Sequence, residues 1–501
     1  MIVAAGAYRS GGAVSAQSTD PLTQPRLAFS DFYYLGGFRL PSTGTGDSFS
    51  YGGTVMAYNP ARNSLFINSL AGKVAEVTIP APVSTGDVTQ MPFASYLQPF
   101  LDPTEGHFHE LATSEANLAG LVVHGDRLYG TGSVYYDAGN SQVLSHFSHS
   151  TNLAQPSFIG MSQVWDTGKA GYVAGYLASI PGEWQSLLGG PALTGQCCVP
   201  IVTRTSFGPA AFAWDPASIG RNTAVPATPL LYYTESHATL GPWAGANERY
   251  GGTAKMGGAA VIAGTRTALF IGRNGLGTFC YGHGVSDPAL AGRLAADGEV
   301  NCYDPTNGYK GQHAYPYRYQ IWAYDLADFA AVKAGSKQPW EVVPYAVWPF
   351  ELPTPATDIR IGGVGYDAQR QILYVAQYVA DQDGYAYRPI IHALKINVPG
   401  SSAPAPQQNA VSLSPDVTAP QPPGASIRWS AVATGGTAPY EYMWASYANG
   451  EWTMQRDWST SATFDWQPNA AAADARVAVS VRKAAANGDL MADSITATAQ
   501  Y

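Results

Sequence analysis

The chain predicts an all-β protein, a β-propeller of about seven blades followed by a C-terminal immunoglobulin-like β-sandwich. Three observations predict it. Gly (54), Pro (36) and Tyr (31) are abundant while charged residues make up 13% of the 501, a composition of short strands and tight turns rather than of long salt-bridged helices. A strand–polar turn–strand unit recurs: Tyr58 to Leu65 and Tyr366 to Leu373 place an aromatic, an Asn/Asp turn and a second strand at the same offsets, and LVVHGDRLYGTG and VIAGTRTALFIG are similar. Beyond residue 398 the pattern changes to shorter alternating segments.

Taken in order, residues 1–22 are an Ala/Gly-rich tail or signal remnant ending in Ala-Val-Ser-Ala-Gln, and export is the expectation, secreted or periplasmic. Residues 23–397 are the propeller, because repeated four-stranded units around an axis leave few exposed edges; the runner-up is a large double-sheet β-sandwich. Helical signals are short, as in DLADFAAVKAG, where an Asp precedes an apolar-periodic turn and Gly follows. Residues 398–406 are a Pro/Ala/Ser linker. In residues 407–501, ASIRWSAV, YEYMWASY, TFDWQP, ARVAVSVRK and ITATAQY read as sandwich strands without a catalytic cluster.

The net charge of −9 argues against nucleic acid and anionic membrane, and an acidic ligand would need a local concentration of positive charge in a cleft. No apolar run is long enough to cross a bilayer. GRNGLGTF lacks the Lys-Ser/Thr partner of a nucleotide loop.

Cys280, His283, Cys302 and His313 gather within some forty residues, the ligand types of a structural zinc; a Cys280–Cys302 disulfide with two unrelated histidines is the alternative. Asp381 and Asp383 alternate as calcium ligands do, or belong to a solvated turn. His124 and His146 fall on what read as neighbouring strands, where a histidine pair supplies a base and a charge-stabilising partner; packing is the alternative. Arg204 lies in an apolar strand and must meet either an internal carboxylate or a ligand's. Arg266 invites the internal partner. His237, Trp243, Arg249 and Tyr250 lie among glycines, with aromatic faces suited to sugar rings.

Over roughly residues 25–397 these features resemble the β-propeller ulvan lyases, polysaccharide lyases that cleave beside a uronic acid by β-elimination and carry a structural zinc. The resemblance implies His124 and Tyr250 as the proton-transfer pair, His146 and Arg204 on the uronate carboxylate, and Tyr176, His237, Trp243 and Arg249 as substrate-binding. A second tyrosine of the family pattern has no obvious counterpart, Tyr172 and Tyr176 being nearest. The implied partner is an acidic polysaccharide, met by a monomer. Two other classes compete: a glycoside hydrolase with a carboxylate pair drawn from Asp102, Glu105, Glu110, Asp137 and Glu235, and a non-catalytic glycan-binding propeller.

Overall fold

The computed structural model describes residues 20–43, 47–111, 116–198, 204–234, 238–240, 244–355, 358–399, 410–417, 421–434, 440–448, 451–468, 475–483 and 495–500. It is all-β, with 47% strand and 11% helix distributed over many small sheets. The chain divides into two units, Met1–Pro399 and Gly400–Tyr501.

Within the first unit, the described residues form five antiparallel sheets of one plan. Sheet I runs Met56–Asn59, Ser64–Asn68, Val74–Thr78 and Tyr96–Leu101; sheet II runs Ala116–His124, Arg127–Val134, His146–Ser150 and Ile159–Val164, with Ala224–Val225 added in parallel at its edge. Sheet III holds Tyr176–Ser179, Ala192–Gly195, Ala211–Trp214 and Ala227–Leu231, and sheet IV holds Lys255–Val261, Thr267–Gly275, Tyr317–Asp325 and Ala346–Phe350. Sheet V takes Ile361–Asp367, Ile372–Asp383 and Ala386–Ile396, then borrows Phe32–Arg39 from the start of the unit, antiparallel to Ala386–Ile396. Among the described residues the sheets of this plan number five, against the seven or so units expected from the sequence. Their first strands begin at Met56, Ala116, Tyr176, Lys255 and Ile361, an uneven spacing because helices and a small extra sheet are spliced between strands.

The packing follows from the two-residue period of a strand. Phe66 enters one buried cluster with Leu121, Val123 and Phe147 of sheet II, while its neighbours Leu65 and Ile67 enter another with Tyr374 and Ile391 of sheet V. Strands buried on both faces explain the nearly continuous apolar runs. Each sheet shares such a cluster with the next, I with II, II with III, III with IV, IV with V, and V with I. First strands pack side by side in the same cyclic order.

Several buried polar side chains are held by dense hydrogen bonding. Glu76, fully buried in sheet I, accepts hydrogen bonds from Asn59 Nδ2 at 2.9 Å, Arg62 Nη1 at 2.8 Å, Ser64 Oγ at 2.5 Å and Gln98 Nε2 at 2.7 Å. Truncating it orphans several buried donors at once. Glu76→Ala is therefore expected to lower the unfolding free energy by about 3 kcal/mol, read as a shift of the denaturant midpoint, and an unchanged midpoint would refute this role. Arg266 finds the internal carboxylate expected of it, Asp325 at 2.9 Å, and the other oxygen of Asp325 caps the helix Leu326–Lys333 by accepting from Ala327 N.

Between the second and third strands of sheet IV lies a three-stranded insert: Cys280–Val285 in the centre, Asn301–Tyr303 parallel to it and Lys310–His313 antiparallel. A Cys280–Cys302 disulfide ties the insert together.

The second unit has a three-stranded sheet (Ala410–Pro415, Ile427–Thr434, Thr463–Trp466) and a four-stranded one ordered Glu451–Ser459, Tyr440–Ala448, Arg476–Lys483, Ile495–Gln500. Trp429 and Trp466 of the first sheet share one buried cluster with Trp444 and Val479 of the second. Among the described residues no helix is long and apolar enough to cross a membrane.

Candidate functional site

A cavity of about 750 Å³ opens where the first strands of the first unit begin. Every sheet contributes to its wall: Thr54 ahead of sheet I, Ala119 of II, Gly175 ahead of III, Lys255 of IV, and Arg360 ahead of V. The insert adds Lys310, Tyr281 and Tyr309, so the pinned segment reaches the cavity with two exposed aromatic rings. A second cavity, of about 460 Å³, lies further along the same first strands and is lined mainly by apolar side chains such as Leu121, Val123, Leu177 and Val364.

Charge is concentrated in the first cavity. Lys255, Arg273, Lys310 and Arg360 line it together with one carboxylate, Asp358, in a protein whose net charge is −9. Lys255 and Arg273 are directly paired across adjacent antiparallel strands, which puts their Cβ atoms about 5 Å apart. Lys255 is solvent-exposed, and the water that reaches it is that of the cavity, whose walls crowd it. That desolvation, then the nearby Arg273 and Arg360, push its ammonium down to about 7, with Asp358 acting in the opposite direction. Arg273 is buried, lies over the Tyr317 ring at 4.3 Å, and reaches Asp358 at 3.5 Å; its Nε has no hydrogen-bond partner. Arg360 stacks on Tyr378 at 4.1 Å and donates from Nε to Asp358 at 2.6 Å. Tyr317 also donates to Asp304 at 2.7 Å, and Asp304 holds His313 Nδ1 at 2.8 Å, so the insert braces the aromatic ring beneath Arg273.

Another part of the wall is made of uncharged residues. Gln196 and the adjacent pair Cys197 and Cys198, joined as a disulfide, line it beside Tyr176. No family model matches the chain, and no curated protein matches it either.

The four residues expected to meet at the site do not meet. His146 is fully buried between Ser145 Oγ at 2.8 Å and Thr194 Oγ1 at 3.0 Å, with its ring edge-on to Trp214, and burial pushes its imidazole down to about 3. It is a core histidine, neutral and satisfied. His124 ends the first strand of sheet II, five residues past Ala119 in the cavity wall, about 16 Å along an extended chain, and packs on Tyr129. Arg204 donates to the Ala138 carbonyl at 2.7 Å beside Asp137 and is absent from the cavity wall. Tyr250 is buried against Phe207, its hydroxyl 3.6 Å from Cys198 Sγ, and stands behind the wall rather than in it; burial raises its pKa.

Of the expected substrate contacts, Tyr176 lines the cavity, with its hydroxyl bound to the backbone N and O of Ala210, both at 2.9 Å. Arg249 is exposed outside it and donates to the Thr239 carbonyl. His237 and Trp243 lie outside the described residues.

The proposed zinc ligands are arranged differently from a ligand set. Cys280 and Cys302 spend their sulfurs on each other, His283 pairs with Asp297 at 2.7 Å, and His313 is held by Asp304 and by the Tyr309 carbonyl at 3.0 Å. Cys280 and His283, three apart on one strand, also point to opposite faces. As for calcium, Asp381 is buried between Arg39 at 3.0 Å and Arg388 at 3.1 Å, and two guanidiniums at that distance repel a cation.

The carboxylates considered for hydrolysis are engaged elsewhere. Asp102 caps Thr104 and Gly106, Glu105 accepts from Ser157 N and Phe158 N, Glu110 pairs with His107 and Arg221, and Asp137 holds Ser141 and Gln142. None of these four lines the cavity, and Glu235 lies outside the described residues.

Sequence reasoning passed over Lys255, Arg273, Asp358 and Arg360. Arg273 in ALFIGRNG is, like Arg204 and Arg266, a lone guanidinium in an apolar strand, and that was the signal available.

Proposed function

We propose that the cationic cavity binds a uronic-acid-containing polysaccharide and cleaves it by β-elimination, the reaction class of the β-propeller ulvan lyases that the sequence resembles. The single observation that carries the reading is Lys255, a near-neutral amine set directly across from a buried arginine and close to a second one. Removal of the C5 proton of a uronate builds charge on its carboxylate, which Arg273 and Arg360 neutralise. Lys255, in its free-base form, then takes that proton; the C4–O bond breaks, a C4–C5 double bond forms, and the glycosidic oxygen is protonated by a phenol of the insert, Tyr281 or Tyr309. Asp358 holds the two guanidiniums in place. A hydrolase reading has less support, because a single carboxylate paired with two arginines does not make an acid–base pair.

In the same reading the five sheets are blades of one propeller, supported by the cyclic packing of first strands and by Phe32–Arg39 completing the last sheet. The two-sheet second unit is an immunoglobulin-like sandwich. Two disulfides favour an oxidising compartment, outside the cell or in a periplasm, and the protein acts as a monomer on a soluble acidic polymer. No step involves zinc.

The test is a panel of uronate polymers followed by ultraviolet absorbance of the unsaturated end. Absorbance that rises with one polymer supports elimination. New reducing ends without absorbance point to hydrolysis, and retardation of an uncut polymer points to binding alone; either result overturns the lyase reading.

A further inference from the structure

Four tyrosines that line the cationic cavity keep most of their surface in water: Tyr135 is 55% exposed, Tyr136 67%, Tyr281 53% and Tyr309 85%. They come as two pairs. Tyr135 and Tyr136 directly follow Arg127–Val134 of sheet II, whereas Tyr281 and Tyr309 belong to the insert of sheet IV. Sheets II and IV are not neighbours in the cyclic packing, so the pairs reach the cavity from different directions. The backbone under each pair is braced. Asp137 accepts from Ser141 N at 2.7 Å and Gln142 N at 2.9 Å, while Gln142 accepts from Val134 N at 2.9 Å and donates to the Gly132 carbonyl at 2.7 Å. Those bonds close the loop that carries Tyr135 and Tyr136, and Arg204 ties it down at the Ala138 carbonyl. In the insert, the Cys280–Cys302 disulfide and the bond from His313 to the Tyr309 carbonyl do the same. Large rings held exposed on braced backbone, inside a cavity, form a binding wall.

Charge is distributed unevenly between the pairs. Lys255 and Arg273 belong to sheet IV, Lys310 to its insert and Arg360 to the approach to sheet V, while the residues that sheet II gives the wall include no cation. A volume of about 750 Å³ suits a ligand of several rings. Aromatic rings cover the C–H face of a pyranose and leave its hydroxyls in water. We propose that an acidic polysaccharide chain crosses the cavity from the insert to sheet II, with a uronate on the cations, its non-reducing-side neighbour beside Tyr281 and Tyr309, and its reducing-side neighbour stacked on Tyr135 and Tyr136. The direction follows from the elimination: the oxygen on C4 of the uronate leads to the non-reducing-side sugar, and it leaves with a proton from a phenol of the insert. A uronate with neighbours bound on both sides is an internal residue, so cleavage falls within the chain. This deepens the lyase reading by fixing the path of the polymer, and rests on that reading for the direction and the cut but not for the binding.

The probes are ulvan, alginate, polygalacturonate and hyaluronan, each cast into a native gel through which the full chain migrates. The Lys255→Met variant keeps the polymer uncut, and at least one polymer is expected to retard it. In that background Tyr135→Ala/Tyr136→Ala is expected to weaken binding about tenfold, because two apolar ring faces are lost. Tyr135→Phe/Tyr136→Phe, which keeps those faces, should retain binding. Tyr385→Ala, at an exposed tyrosine outside the cavity wall, should leave it unchanged. Circular dichroism melts separate loss of the subsite from loss of fold. With the wild type, the viscosity of the cleaved polymer should fall well before the absorbance of unsaturated ends levels off. No retardation by any polymer, equal retardation of the folded Tyr135→Ala/Tyr136→Ala variant and its parent, or absorbance that rises while viscosity holds overturns the proposal. Tyrosine-dependent retardation without unsaturated product leaves the binding path standing and removes the lyase reading, whereas unsaturated product with tyrosine-independent binding does the reverse.

Discussion

Lys255→Met is expected to lower kcat/KM for elimination roughly 10²–10⁴-fold, because it removes the group assigned to take the C5 proton. The change should leave the fold intact and raise its thermal stability, since it relieves a desolvated ammonium directly across from Arg273. Activity lost together with stability would instead mark Lys255 as a structural residue. The pH profile carries the sign. An amine whose pKa is pushed down to about 7 works as a base only when unprotonated, so kcat/KM should fall about tenfold per unit as pH drops below 7 and level off above it. Lys255→Arg, cationic at every working pH, should be as inactive as the methionine variant. A profile without an inflection near 7 would remove Lys255 from the base role.

The second large effect is acid lability set by two buried histidines. His146, and His392 between Tyr34 and Gln377, are each pushed down from 6.5 to about 3 by burial. Between those values the unfolded chain binds protons that the folded protein does not. Stability is therefore complete above pH 6.5 and is lost as pH falls toward 3. Each group contributes a slope of about 1.4 kcal/mol per pH unit, so the pair costs about 2.7 kcal/mol per unit, large against a total of roughly 5–15 kcal/mol. Urea midpoints at pH 7 and pH 5 measure the slope above the range where carboxylates dominate. His146→Gln, which keeps polar contacts to Ser145 and Thr194, should remove about half of it; a slope unaltered in that variant would show that His146 does not titrate on unfolding.

The fold was legible where a strand pair and its turn are contiguous. The four repeated units read from sequence are the first two strands of sheets I, II, IV and V. Sheet III escaped notice because the helix Gly182–Leu188 separates Tyr176–Ser179 from Ala192–Gly195, so no short hairpin motif exists to be recognised. In the second unit all five segments read as strands are strands, while Ala410–Pro415 and Glu451–Ser459 were missed, the latter being mostly solvent-exposed and lacking a clean apolar alternation.

The site was less legible, for a physical reason. Histidines draw attention by type, yet His146 is neutral, satisfied core, and His124 lies at the other end of its strand. Arg273 and Lys255 lie 18 positions apart, and their juxtaposition depends on strand register, which residue spacing alone does not display. Arg360 joins them from sheet V, more than a hundred positions after Lys255.

By itself the sequence determined an all-β protein of repeated strand pairs, an acidic chain obliged to concentrate cations if its ligand is anionic, and a cysteine-bearing insert, since composition and two-residue periodicity are local properties. Tertiary structure alone decided which cations share a cavity, which histidines lose their charge to burial, and that Cys280 and Cys302 bond to each other. Those outcomes depend on dielectric environment and cross-strand register, and both exist only once distant segments have packed.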